Sequence, residues 1–204
     1  MSEWITTRCT AFAGSRCIAS GELGSVALAV KKMVDQRGQE PVLVFDDSTS
    51  ALIELDLRGT AGDVTRRLEQ AAEPAGAASS VRPALTGAHR GPGRPRLGVV
   101  AREVTLLPRH WDWLASQPGG ASVALRKLVE EARRSNAGKD RVRQAQEAGY
   151  RFMSAIAGHQ SGFEEATRAL FAGNAARFEE LVPAWPADVR HQAKKVVAAA
   201  FEPQ

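Results

Sequence analysis

Cysteine is scarce: Cys9 and Cys17 are the only two in 204 residues. Two thiols cannot build a disulfide framework or a four-cysteine zinc site. They read as reduced, partly buried thiols in a short strand pair. Long apolar runs are also lacking, so no segment reaches the length needed to cross a bilayer. The opening MSEWITTRCTAF lacks the basic-then-apolar order of a secretory signal, and the expectation is a cytoplasmic chain without membrane contact. Nor is there a phosphate-binding glycine loop, a nucleophile elbow, a kinase signature or a histidine pair at metal-ligand spacing. Asp46-Asp47 is a carboxylate pair, but it falls in a turn, where such residues are ordinarily solvated. The sequence therefore assigns no catalytic residue, no metal and no cofactor, and it points away from an enzyme.

What the chain does have is an uneven charge. The formal net charge is only +4. Residues 1–75 hold 8 Lys+Arg against 11 Asp+Glu, residues 76–136 hold 10 against 4, and residues 137–204 hold 9 against 8. The excess thus sits in the middle third, at +6. A local excess of this kind attracts a polyanion, because each Lys or Arg that meets a phosphate releases condensed counterions.

Apolar periodicity predicts an α+β fold class. Thr10, Phe12 and then Cys17, Ile18 and Ala19 flank Gly14-Ser15 as a hairpin. Leu23, Val26, Ala27, Val30, Met33 and Val34 recur at helical spacing, closed by Arg37-Gly38. Two strands follow, Val42 to Phe45 and Leu52 to Leu57, joined by a turn from Asp46 to Ser50. Thr60 with Asp63 caps a last helix carrying Val64 and Leu68. Residues 1–75 thus form a small ββαββα unit. Residues 76–98, rich in Ala, Gly, Pro and Ser, are expected to be a disordered basic linker. Residues 99–136 read as strand, helix, turn, helix, with Pro108 in the first turn of one helix and Ser122 as N-cap of the next. Residues 137–204 read as a helical bundle of three or four helices.

Two segments point toward DNA. Arg90-Gly91-Pro92-Gly93-Arg94-Pro95-Arg96 resembles an AT-hook, whose extended Arg lies in the narrow minor groove of A·T-rich duplex. Pro92 stands where that pattern has its first Arg. The resemblance therefore implies Arg94 as the inserting residue and Arg90 and Arg96 as phosphate partners. Residues 101–134 resemble a ribbon-helix-helix module, in which two chains pair one strand each and interlock their helices. That resemblance implies a dimer core of Trp111, Leu114, Leu125, Leu128 and Val129. It also implies DNA contacts from Arg102, Thr105, Arg109, Ser122, Arg126 and Lys127. Two strand registers are open. One puts Arg102, Val104 and Leu106 on the DNA side; the other turns Val104 and Leu106 to the core and leaves Glu103 and Thr105 outward.

Over nearly its whole length the chain resembles a bacterial family known only as a domain of unknown function. The carriers are VLVFDDSTS, GRPRLGVVAREVTLLPRHWDWL with GGASVALRKLVEEAR, and RALFAGN with AWPADVRHQAKK. The expectation drawn from the residues is a homodimeric DNA-binding regulator or nucleoid-type architectural protein, its partner double-stranded DNA rich in A·T. The alternative is a protein-interaction module with no nucleic-acid role.

Overall fold

Strand β1 (Arg8–Ala13) has no polar face, since every residue after Arg8 is buried. Such a strand needs cover on both sides of its sheet. It lies at the centre of a three-stranded antiparallel sheet of order β2-β1-β3, with β2 (Arg16–Glu22) and β3 (Val42–Asp46) as its neighbours. The hairpin turns at Gly14, whose φ of 53° suits glycine. A bulge between Ala11 and Phe12 makes Ala11 face Ala19 and Phe12 face Cys17. The computed structural model describes residues 7–37, 40–72, 100 and 102–202.

The two faces of the sheet bury different partners. Cys9, Ala11 and Val44 pack on Leu23, Val26 and Val30 of helix α1 (Leu23–Arg37), with Leu68 of helix α2 (Ala61–Ala72) at the margin. The opposite face offers Phe12 and Phe45 to the helices that end the chain. These are the later part of α4 (Gly120–Ala157), then α5 (Phe163–Phe171), α6 (Ala175–Leu181) and α7 (Ala187–Val197). Phe152 stands at the join, its ring centroid 5.4 Å from Phe12 and 5.2 Å from Phe45. Phe178, Val182, Trp185, Val189 and Val197 complete this core, and the Trp185 indole donates to the Ser161 carbonyl at 3.0 Å.

The α+β class stands, but the domain boundary expected at residue 137 does not separate two bodies. Residues 1–75 and 137–204 form one compact unit, because the sheet's second face packs on the C-terminal helices; residues 76–136 form another. Three local expectations also change. The strand expected over Leu52 to Leu57 is reduced to one bridge, Phe45 with Leu52. Arg67 of α2 donates instead to the carbonyls of Asp56 and Arg58, acceptors that a ladder would have used. Helix α4 does not stop near Ser135; it runs unbroken for 38 residues, since nothing in SNAGKD forbids helix and Gly138 costs only about 1 kcal/mol. Residues 102–107 form no strand and have no ladder partner among the described residues.

Other signals read as expected. Thr60 and Asp63 form a reciprocal cap at the start of α2, the Thr60 N–H donating to Asp63 Oδ2 at 3.0 Å and the Asp63 N–H to Thr60 Oγ1 at 3.3 Å. Gly162 and Gly173 take positive φ at the breaks around α5, and Pro186 precedes α7. Among the described residues, no helix is long and apolar enough to cross a membrane.

Candidate nucleic-acid interface

The residues singled out for DNA contact fall in the unit of residues 76–136. Arg90, Arg94 and Arg96 lie outside the described residues. The remainder are placed by a helical hairpin. Leu107 takes an extended backbone, φ −66° and ψ 149°, and Pro108 then opens α3 (Pro108–Ser116) with its fixed φ. Gln117 ends that helix, and Gly119 and Gly120, both at positive φ, reverse the chain into α4. Ser122 is therefore not the N-cap. It is the third residue of α4, within the first turn, because the two glycines start the helix earlier than a capping side chain would.

The extended segment before α3 lies along α4. Val100, Arg102 and Val104 line an open groove of about 1220 Å³ together with Ser122, Leu125, Arg126, Val129 and Arg134. Leu106 lines a second, apolar cavity of about 300 Å³ with His110, Trp113, Leu114, Leu125 and Leu128. Val104 and Leu106 thus line cavities shared with α4, as in the register that turns them toward the core, while Val104 stays 53% exposed. Arg102 shares the side of Val104 and Leu106, while Glu103 and Thr105 are exposed on the alternate positions. Arg102 and Thr105 do not share a face.

The cations are of two kinds. Arg126 is folded back on its own helix, its Nε donating to the Ser122 carbonyl at 3.0 Å and a terminal nitrogen to Ser122 Oγ at 3.2 Å. Arg133 and Arg134 both reach Glu130, at 3.2 and 3.4 Å. Such exposed pairs hold by about 0–1 kcal/mol and yield readily to a phosphate. Arg102, Arg109 and Lys127 are exposed and make no ion pair among the described residues. Residues 102–136 thus carry six cations, Arg102, Arg109, Arg126, Lys127, Arg133 and Arg134, against four carboxylates, Glu103, Asp112, Glu130 and Glu131.

The expected dimer core is mostly uncovered. Leu114 is buried at 3% exposure and Leu125 is half-buried, but Trp111, Leu128 and Val129 are 41%, 43% and 63% exposed. Trp113, Leu106 and His110, outside the predicted core set, share the cavity with it. Their signal was helical spacing: His110, Trp113 and Leu114 recur at three and four residues, as do Leu125 and Leu128.

In the other unit, both carboxylates of the Asp46-Asp47 pair are engaged. Asp46 accepts from the N–H and hydroxyl groups of Ser48 and Thr49. Asp47 accepts from the Thr10 hydroxyl at 2.6 Å and from Lys195 at 2.9 Å. Burial pushes the Cys9 thiol up to about 11, with the Asp47 and Asp46 charges adding to the effect. Burial raises Cys17 too, aided by Asp188 and Asp47. Both shifts favour the protonated thiol.

No curated protein and no solved structure matches this chain. A family model described as an uncharacterized protein conserved in bacteria, DUF2239, matches residues 8–197, which takes in the sheet, both described helical regions and the segment between them. The chain belongs to that bacterial family.

Proposed function

We propose that this protein binds double-stranded DNA through the unit of residues 76–136, acting as a regulator or a nucleoid-type architectural protein. The observation that carries the reading is the exposed hairpin and its leading segment, on which Arg102, Arg109 and Lys127 make no ion pair among the described residues, within a sequence segment of local charge +6. Cations with no carboxylate partner lose nothing when they meet a phosphate, and each contact releases counterions. Arg94 and Arg96, in their Gly-Pro frame just upstream, supply an arm of the AT-hook kind for the minor groove of A·T-rich duplex. The leading segment and hairpin supply phosphate contacts from Arg102, Arg109, Lys127 and, once released from Ser122, Arg126.

Base readout on this reading is thin. The outward side of the extended segment offers Glu103, Thr105 and Leu107, and of these Thr105 is the one able both to donate to and accept from a base edge. Affinity therefore exceeds sequence discrimination, as in a protein that follows charge and groove shape.

The test is an electrophoretic mobility shift on an A·T-rich duplex and a G·C-rich duplex of equal length, at two salt concentrations. Binding should weaken steeply with salt, and Arg94→Ala with Arg96→Ala should reduce both the salt slope and the A·T preference. Unchanged binding by that double variant removes the arm from the account. No shift of either duplex at low salt removes the DNA reading as a whole.

A further inference from the structure

In the unit of residues 1–75 and 137–204, a cavity of about 350 Å³ opens beside the C-terminal end of α5. Helix α4 contributes Val142 and Gln146 to its lining, and Phe171, Ala172 and Gly173 come from the α5 end. The 3-10 turn Ala198–Phe201 that follows α7 supplies Ala200 and Phe201, with Glu202 just beyond it. The volume is that of a small-molecule site. None of the lining residues is Lys, Arg or His, and one is an acid.

Acceptor oxygens outnumber donors around this cavity. Gly173 takes a φ of 66° and leads the chain out of α5, and no backbone N–H among the described residues reaches the carbonyls of Phe171, Ala172 or Gly173. Gln146 donates its amide hydrogens to the carbonyls of Leu170 at 3.1 Å and Phe171 at 3.4 Å, and its own Oε1 receives no donor among the described residues. The C-terminal ends of two helical segments add the negative pole of their peptide dipoles. Glu202 adds a full negative charge, met by Arg141 at 3.4 Å in a pair whose side chains are both more than half exposed. Such a pair is weak and yields to a better-placed cation. Carbon completes the lining. Phe171 is 52% exposed although Ala169 and Leu170 before it are buried, and it shares the cavity with the half-buried Phe201. The face of a phenyl ring attracts a cation and gives an apolar stem something to lie on.

We infer that this cavity binds a primary ammonium group carried on an aliphatic stem. Several acceptors in one place suit a donor with several N–H groups, and a protonated amine has three. Glu202 and the helix ends balance its charge, while Val142, Ala200 and the two phenyl rings cover its stem. A hard metal ion fits worse, since it takes six or more oxygens and gains nothing from the rings. An anion meets a carboxylate and unpaired carbonyls, and is repelled. A free amine and the lysine side chain of a partner protein share this chemistry. The site does not rest on the DNA reading, because none of its residues belongs to the unit of residues 76–136.

The test is an amide chemical-shift titration of the full chain with n-pentylamine at neutral pH and matched ionic strength, read at Gly173, Phe201 and the Gln146 side chain. So small a ligand should saturate the site with a dissociation constant on the order of 1–10 mM. n-Pentanol, with the same stem and no charge, should bind at least about tenfold more weakly. Glu202→Gln should weaken the amine about fivefold and Phe171→Leu about threefold; both positions are exposed, so the fold is kept. Glu164→Gln, at the other end of α5, should leave it unchanged. Nα-acetyl-lysine methylamide separates the two sources: tighter binding than pentylamine assigns the site to a partner's lysine, weaker binding to a free amine. Pentanol that binds as well as the amine, shifts that do not saturate by about 50 mM, or a Glu202→Gln chain with wild-type affinity overturns the inference.

Discussion

Asp46, at the end of β3, is held by four hydrogen bonds: from the Ser48 N–H at 2.9 Å, the Ser48 hydroxyl at 2.6 Å, the Thr49 N–H at 2.8 Å and the Thr49 hydroxyl at 2.9 Å. Burial by itself would push its carboxyl up, but those donors outweigh it and hold the group below its ordinary 3.8. A depressed acid stabilises the fold above its unfolded value, and that stabilisation is lost as pH falls through the lower folded value. Asp46→Ala should therefore reduce stability at pH 7 by about 1–2 kcal/mol, with the deficit closing below about pH 4. Urea unfolding of the two proteins at pH 7 and pH 3 checks this, and a deficit that is constant with pH would contradict it. The neighbouring Asp47 acts over a longer range, joining the buried Thr10 of β1 to Lys195 of α7. The carboxylate pair that the sequence places in a solvated turn thus ties that turn and clamps a helix to the sheet.

At the scale of elements, Gly149 offers a conflict between propensity and packing. In a helix interior, alanine outranks glycine by about 1 kcal/mol. Yet a Cβ on Gly149 would lie 2.4 Å from a methyl of the buried Val197, on α7. Gly149→Ala should destabilise the protein by about 1–3 kcal/mol, and a second change, Val197→Ala, should recover part of the loss. Thermal melts of the single and double variants measure this; a more stable Gly149→Ala would mean α4 and α7 are not in close contact.

The elements were legible wherever local chemistry decided them. Gly14-Ser15 gave the hairpin, Thr60 with Asp63 gave the start of α2, and Pro108 gave the start of α3. They were not legible where distant groups competed. The alternation in LIELDL promised a strand, but Arg67, eleven residues from Asp56 and nine from Arg58, takes the carbonyls of both. At the hairpin, Trp111, Leu114, Leu125, Leu128 and Val129 were recognisable as apolar positions at helical spacing. Which side of the extended segment faced α4 depended on packing, and it put Arg102 and Thr105 apart.

At the scale of the molecule, the sequence reads as consecutive parts while the folded chain returns to its own beginning. The signal for that return was present in CTAFA and VLVF, apolar runs without alternation that mark strands buried on both faces. Because Phe12, Phe45 and Phe152 share one core, cutting the chain at residue 76 would expose it rather than isolate a working half. Phe152→Ala should cost about 3–5 kcal/mol. It should also unfold the sheet and the C-terminal helices together, seen as simultaneous loss of amide-exchange protection in β1 and α7. Loss confined to the helices would contradict a single unit. Residues 76–136 are then an insertion in sequence within that unit, carrying the charge that it lacks.

The most direct measurement is fluorescence anisotropy of a labelled A·T-rich duplex titrated with wild type and with Arg102→Ala, Arg109→Ala, Lys127→Ala at several salt concentrations. The account predicts that log affinity falls linearly with log salt, and that the triple variant flattens the slope by about 3 for each copy bound. Affinity that does not change with salt, or a triple variant with the wild-type slope, would contradict it.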